Sequence, residues 1–468
     1  MENPNSNQVF LISKTELTDR LDPQFFRQWH QKSTDILHSS KYPIVTLSNI
    51  VCFKSEKTLP KRFPNREFIY LSLANVSSHT GEIIGDTKVK GSQILSHCNV
   101  FRKGDILFSK LRPYLNKVYL VKDDIENSIC STEFVVLAPK ENVNGVFLRA
   151  FLSSPFVLNQ TKHMLTGYTL PRLAPHELGK VKIVLPPIEK QNLISERIKN
   201  FESLRVKKTT EANDILDGIN GYLLNTLGIH IEEYQQANTF SVDICHVELE
   251  KRFDPSFFRP NENRFANALK GAKWEIKTIG ELASNIVNGL DDRHYTDQGT
   301  PYIRVENVKE NEIILSNVKY VNLSFNNVPS KIRLKDGDVL FTRKGSYGIC
   351  AVVTNKTISS IISSEIIKIS LKPTIDPHFF AAFINSSIGK MQSKKFAVGA
   401  IMPGISHRAL KAMQVVVPPL EVQYLITQEI SKRITLARQL LHEACELEKL
   451  VDEEIEKIIL ERQERGED

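Results

Sequence analysis

The feature that most constrains this chain is an internal repeat at a spacing of 232 residues. Leu185-Pro186-Pro187-Ile188-Glu189-Lys190-Gln191 returns as Val417-Pro418-Pro419-Leu420-Glu421-Val422-Gln423. The correspondence extends well upstream of these two stretches. Arg20, Asp22, Pro23, Phe25 and Phe26 match Arg252, Asp254, Pro255, Phe257 and Phe258, and Tyr70 with Asn75-Val76 matches Tyr302 with Asn307-Val308. Ser131 and Glu133 match Ser363 and Glu365, while Gly167 and Pro171 match Gly399 and Pro403. Self-similarity at one fixed period, carried through unrelated local patterns, defines a tandem duplication. Lys103-Gly104-Asp105-Ile106-Leu107-Phe108 pairs with Asp336-Gly337-Asp338-Val339-Leu340-Phe341 at 233, as one inserted loop residue requires.

Each Pro-Pro pair opens a long stretch free of proline. After Pro187, apolar side chains recur at Ile194, Ile198, Phe201, Ala212, Ile215, Ile219 and Tyr222, with Arg205 and Lys208 on the same stripe. After Pro419 the stripe runs through Ile426, Ile430, Ala437, Leu440, Ala444, Leu447, Val451 and Ile458. Alternating steps of three and four predict heptad-like helices, the first continuing to about Leu227. Thirty-five to forty helical residues span on the order of 55 Å. A helix of that length with one apolar stripe needs a partner, and the homologous helix of the other repeat is the natural one. The residues expected to pack between them are Ile194, Ile198, Phe201, Ile215 and Ile219 against Ile426, Ile430, Leu440, Leu447 and Val451.

A chain of 468 residues exceeds one ordinary core, and two units of about 230 fit the domain range. The six cysteines are scattered without a CxxC pair and occupy no equivalent positions in the two repeats, so neither a disulfide framework nor a metal site is expected. Met1 to Gln8 is polar, and no apolar run approaches the ~18 residues of a membrane span. A cytoplasmic, soluble protein without membrane contact is expected. From Pro419 onward thirteen acidic residues face seven Lys and Arg, a local net charge of −6 that leaves +13 on the remainder. A basic body favours a polyanionic partner, with nucleic acid the first candidate.

Between Tyr42 and Ala138 the pattern shortens to strands at Ile44–Leu47, Phe68–Leu73, Ile106–Phe108, Val118–Val121 and Phe134–Leu137, which predicts a mixed α and β domain with a curved sheet. Asp22-Pro23-Gln24-Phe25 superficially resembles the Asn/Asp-Pro-Pro-Tyr/Phe loop of adenine amino-methyltransferases. The second proline is missing in both repeats and no Gly-rich loop follows a strand to hold a nucleotide cofactor, so core docking of the paired phenylalanines is the better reading. No cofactor, metal cluster or catalytic constellation is expected.

Candidate contacts to DNA lie in the loops. Straight after the buried strand come Ser109-Lys110-Leu111-Arg112-Pro113-Tyr114 and, in the second repeat, Thr342-Arg343-Lys344-Gly345-Ser346-Tyr347-Gly348. Each offers cations, hydroxyls and an aromatic ring at a rigid strand end, the groups that phosphates and base edges require. An ordinary solvated loop would share that composition. Further candidates are Arg62 and Arg66 flanking Phe63, the Gly-Pro residues Tyr168 and Arg172, and the second-repeat loop with Arg293, His294 and Tyr295, followed by Arg304. The candidate set is thus Arg62, Arg66, Ser109, Lys110, Arg112, Tyr114, Tyr168, Arg172, Arg293, His294, Tyr295, Arg304, Arg343, Lys344, Ser346 and Tyr347. These loops differ between repeats while the flanking strands match, as two recognition modules for two targets would.

The ordered set of duplicated Asp-Pro-x-Phe-Phe and Leu/Val-Pro-Pro-Ile/Leu-Glu-x-Gln motifs, with Gly299-Thr300-Pro301-Tyr302-Ile303-Arg304 and Gly345-Ser346-Tyr347-Gly348, resembles the DNA-specificity subunits of type I restriction-modification systems. The first repeat departs from it, with Leu111-Arg112-Pro113-Tyr114 in place of Gly-Ser-Tyr-Gly. The resemblance implies an α+β fold: a tandem duplication of a mixed, β-rich globular domain plus a long helix, the two helices packed as an antiparallel coiled coil. It implies target-recognition domains at 1–187 and 229–418, a central spacer helix at 188–228, and a distal helix with an acidic tail at 419–468. It further implies that each domain reads half of a bipartite, asymmetric double-stranded DNA target. The chain would be non-catalytic, with two methyltransferase (modification) subunits docking on it to modify adenine and motor and nuclease restriction subunits joining for cleavage. Two other readings share the residue pattern: a recognition subunit of another DNA-methylation-based defence system, and a helical scaffold that never touches DNA.

Overall fold

The computed structural model describes residues 37, 39–162, 164–167, 169–232, 239–250, 255–399 and 403–461. The chain forms two compact units, residues 1–210 with 440–468 and residues 211–439. Each unit therefore takes one half of each long helix, and these helices run Ile188–Leu227 and Leu420–Leu460. The architecture is α+β.

In the first unit, Ile44–Thr46 pairs with Lys182–Val184, closing the globular part just before the helix begins. A four-stranded antiparallel sheet has the order Val51–Lys54, Phe134–Pro139, Ile106–Ser109, Val118–Leu120. A five-stranded sheet runs Lys57–Thr58, Cys98–Val100, Ser128–Ser131, Glu67–Leu71, Lys88–Lys90, with one parallel pair between Glu67–Leu71 and Ser128–Ser131. The second unit repeats the plan. Ile276–Thr278 pairs with Gln414–Val416, and the four-stranded sheet runs Ala283–Asn288, Ile366–Leu371, Val339–Thr342, Cys350–Val352. Its other sheet keeps the parallel pair as Thr300–Ile303 with Ile361–Ile362.

The strand after each glycine turn is buried along its whole length, which is why Ile106-Leu107-Phe108 and Val339-Leu340-Phe341 read as unbroken apolar runs rather than alternating ones. Gly104 and Gly337 hold φ of +86° and +83°, a conformation that glycine adopts without strain. The aspartates that follow are buried and cap their own turns: Asp105 Oδ2 accepts from Arg102 N at 2.8 Å and Asp338 Oδ2 from Lys335 N at 2.8 Å. Lys54 neutralises the first at 2.7 Å and Lys368 the second at 3.4 Å.

One buried glutamine roots each long helix. Gln191 donates to Pro186 O at 2.8 Å and Asn142 O at 3.3 Å, and accepts from Asn144 N at 2.9 Å. Gln423 does the same with Pro418 O, Thr374 O and Asp376 N at 2.7, 3.3 and 2.7 Å. The repeated Pro-Pro-x-Glu-x-Gln motif is thus a structural joint. Pro187 and Pro419 precede the first helical residues, where a missing N–H costs nothing. The glutamine then ties the first turn to the loop that caps the next helix, Gly145–Ser153 or Pro377–Asn385.

The two helices run antiparallel where they meet. In the first unit Lys190 pairs with Glu461 at 3.5 Å, Arg197 with Glu454 at 3.1 Å, and Lys208 with Glu443. In the second, Arg433 donates to Gly218 O at 3.4 Å and lies 4.7 Å over the Tyr222 ring. The stripe does more than join helix to helix. Ile194, Ile198, Ile455, Ile458 and Ile459 share one buried cluster with Phe147 and Phe151, with Val451 packed against it. Ile426 and Ile430 share another with Leu223, Phe379 and Phe383, with Ile219 and Tyr222 at its edge. Phe201, Ile215 and Leu447 are only half-buried and Leu440 is buried. Arg205, a polar break in the stripe, turns to Glu82 of the globular part at 2.7 Å.

The Asp22-Pro23 segment, Arg252 and Asp254 lie outside the described residues. In the second repeat Phe257 is buried and packs edge-on against Phe396 at 6.4 Å. Among the described residues no helix is long and apolar enough to cross a membrane.

Replacing Gln191 by Leu leaves Asn144 N–H and two carbonyls without their partner inside the fold. Stranding such groups costs about 1–3 kcal/mol each, so Gln191→Leu should lower the urea unfolding free energy by at least about 3 kcal/mol. Lys199→Ala, on the exposed face about two turns on, should shift it by no more than about 0.5 kcal/mol.

Candidate nucleic-acid interface

In each unit the loop that leaves the buried strand is stitched to the Gly-Pro stretch near the unit's end. In the first, Arg112 N donates to Pro171 O at 2.8 Å and Leu173 N to Lys110 O at 2.8 Å. Arg112 holds φ of +48°, and Arg172 forks onto Glu133 through Nε and Nη2, each at 3.2 Å. Lys110, Arg112, Tyr114 and Arg172 therefore belong to one loop assembly. Tyr114 is exposed, and Lys110 and Arg112 are half-buried. Ser109 does not join them: it is buried and spends its hydroxyl on Leu111 O at 2.8 Å, because it is the last residue of a strand buried on both faces. Arg62 and Arg66 are exposed on a separate loop, with Arg66 4.5 Å over the Phe63 ring. Tyr168 lies outside the described residues.

In the second unit Ile405 N donates to Arg343 O at 2.9 Å and Lys344 bridges Gly404, reproducing the stitch. Beside it opens a cleft lined by Arg293, Tyr295, Tyr302, Arg304, Ser346 and Glu365. Four sequence candidates, Arg293, Tyr295, Arg304 and Ser346, thus come together there. Tyr302 holds the cleft in shape, donating from its hydroxyl to Leu290 O at 2.6 Å and accepting from Asp292 N at 3.2 Å. Its burial pushes the phenol pKa up. Tyr295 sits 6.1 Å from the Tyr302 ring, with the Arg304 guanidinium 5.4 Å over its face.

The remaining candidates fall elsewhere. His294 is fully exposed and paired with Asp292 at 3.3 Å. Lys344 is exposed, and Tyr347 is half-buried and packs against the hydrophobic core. Arg343 is half-buried near His407, whose imidazole lies 2.7 Å from Asn288 Oδ1. Burial, then the charges of Arg343 and Lys411, lower the pKa of His407.

Charge in the cleft is balanced, since Asp291, Glu306 and Glu365 stand among Arg293, Arg304 and Lys309. Asp291 lies 3.2 Å from Arg293 and raises its pKa, and Glu306 pairs with Arg304. Sequence reasoning listed the cations and missed the carboxylates. The signal available was the duplicated Ser-x-Glu of Ser131/Glu133 and Ser363/Glu365. Among the described residues no group of three His, Cys, Asp or Glu is placed to hold a metal ion.

The model of the type I restriction modification DNA specificity domain matches this chain twice, at residues 39–216 and 272–444. The chain belongs to that family: it is a type I restriction-modification specificity subunit carrying two DNA specificity domains. It is 20% identical over 443 residues to the Type I restriction enzyme HindI specificity subunit of Haemophilus influenzae, covering 81% of this chain and 90% of that one. It is 25% identical over 161 residues to the EcoDI specificity subunit of Escherichia coli, covering 34% of this chain and 35% of that one. A chain from a solved type I R-M system, described for its complex assembly and conformational transition, superposes with a TM-score of 0.52 at 18% identity, over 89% of this chain and 97% of that one. That likeness establishes the fold.

The depressed pKa of His407 makes a stability prediction. As pH falls through about 6.5 the unfolded chain takes up the proton before the folded one does. The stability tied to this group is therefore complete above pH 6.5 and is lost as pH falls below it. The urea midpoint of the second unit should decrease from pH 7 to pH 5, and His407→Gln, which keeps a hydrogen-bonding side chain without the titration, should flatten that decrease.

Proposed function

We infer that each specificity domain reads one half of a bipartite, asymmetric double-stranded DNA target, and that the chain directs adenine methylation, and cleavage, by partner subunits without catalysing either. The carrying observation is that one chain holds two copies of the specificity domain whose strand-end loops share a support and differ in side chains: Lys110, Arg112 and Tyr114 in the first, Arg343, Lys344 and Ser346 in the second, where Arg293, Tyr295 and Arg304 line the cleft beside the loop. Equal scaffolds with unequal reading groups suit a target with unequal halves. The recognition domains are taken as 1–187 and 229–418, with 188–228 and 419–468 as spacer helices. Exposed Arg62, Arg66, His294 and Lys344 are placed at phosphates. Arg343, half-buried, is kept as a candidate on its loop.

Two methyltransferase subunits per chain is the stoichiometry favoured by a duplicated apolar patch. Leu193 and Leu204 are 47% exposed each, and their counterparts 232 residues on, Leu425 and Leu436, are 64% and 44% exposed. Eleven residues are close to three helical turns, so each pair lies on one helix face. Large apolar groups left open at equivalent places twice over mark docking positions for two copies of one partner. Motor and nuclease subunits join such a core for cleavage.

The test is reconstitution of the chain with a methyltransferase partner. The wild-type complex should hold two partner copies by native mass, and Leu425→Asp with Leu436→Asp should reduce that to one. A complex making at least three phosphate contacts should lose DNA affinity by roughly fortyfold between 50 and 200 mM salt. Salt-insensitive, weak DNA binding by a fully assembled complex would favour the scaffold reading instead.

A further inference from the structure

We propose that Glu365 is a specificity-determining residue of the second domain, a carboxylate that reads an exocyclic amino group, cytosine N4 or adenine N6, in one half of the target. The inference rests on the DNA-reading assignment made above.

A carboxylate in a cleft that receives DNA repels phosphate, so the groups it can favour there are base donors. In the major groove these are the amino groups of cytosine and adenine. The backbone of Glu365 is fixed on a rigid support. Its carbonyl accepts from Arg343 N at 2.9 Å, and Ile366 N, next along, donates to Ser363 O at 3.0 Å as the strand Ile366–Leu371 begins. Among the described residues its side chain carries one long ion pair and no hydrogen bond. The Arg293 guanidinium stands 4.0 Å away, beyond hydrogen-bond distance, and among the described residues no hydrogen bond reaches the carboxylate.

A second observation points the same way. Ser363 lines the same cleft, is 3% exposed, and its Oγ has no hydrogen-bond partner. Buried hydroxyls are normally satisfied, and this one is enclosed in the cleft wall with its hydrogen-bonding capacity unspent. Tyr295, Tyr302 and Arg304 line the same cleft.

The first domain carries the same two residues in a closed form. Both oxygens of Glu133 are taken by Arg172 at 3.2 Å, and Ser131 Oγ accepts from Glu133 N at 3.3 Å. The cause is one substitution between the repeats. The position equivalent to Arg172 is Gly404, which has no side chain to hold Glu365. The duplicated Ser-x-Glu is thus a closed pair in one domain and leaves its carboxylate available in the other.

The test is selection of a randomised duplex library by the chain assembled with its methyltransferase partner, followed by affinity measurement for each base at each selected position. Glu365→Ala, which removes the acceptor, should reduce discrimination about tenfold to a hundredfold at a single cytosine or adenine of one half-site, with the other half intact. The base identity at that position separates the cytosine from the adenine reading. Uniform weakening across all sequences, or an unchanged motif in Glu365→Ala, overturns the assignment of Glu365 alone. A wild-type complex that selects no motif would overturn the DNA-reading assignment together with it.

Discussion

A single buried amide at the root of each long helix governs the rest of the structure. Gln191 and Gln423 each satisfy one backbone donor and two carbonyls at the point where a strand ends, two prolines turn the chain and a helix of forty residues departs. An amide with that many buried partners tolerates little displacement, because any shift strands groups that water cannot reach. The helix direction is consequently fixed against the globular sheet. The apolar stripe then meets both the domain core and the antiparallel helix, which is why Ile194, Ile198, Ile455 and Ile458 are buried in one cluster with Phe147 and Phe151.

Much of this was legible in the sequence. The duplication, the helix entries, the strands at Ile106, Val118 and Phe134 and the glycine turns all follow from period, proline placement and composition. The short strands Lys57–Thr58, Lys88–Lys90 and Cys98–Val100 did not. They are two or three residues long and are built by partners far along the chain, so local periodicity carries no trace of them. Gln191 and Gln423 were visible as repeated letters, but their role depends on carbonyls some fifty residues upstream.

The candidate loops were legible as places, and the direction of their side chains was not. Residues at the end of a buried strand can point either way, and spacing alone does not say which: Ser109 and Tyr347 turn inward, while Tyr114 and Ser346 turn outward. Scanning for cations found Arg293 and Arg304 but passed over Asp291, Glu306 and Glu365, which make the cleft balanced in charge. The balance has a functional consequence. On the proposed DNA-reading role of the cleft, a purely basic surface would hold any DNA, whereas carboxylates beside the arginines penalise every register except one that offers them a donor. Selectivity then comes from side chains that differ between repeats on a scaffold that does not.

The most direct test of the account is genome-wide mapping of adenine methylation in cells that carry this chain and its methyltransferase partner, compared with cells lacking only this chain. Two specificity domains reading two unequal half-sites predict the loss of one bipartite, asymmetric methylated motif. Methylation that persists unchanged without the chain, with an active methyltransferase still present, would contradict it.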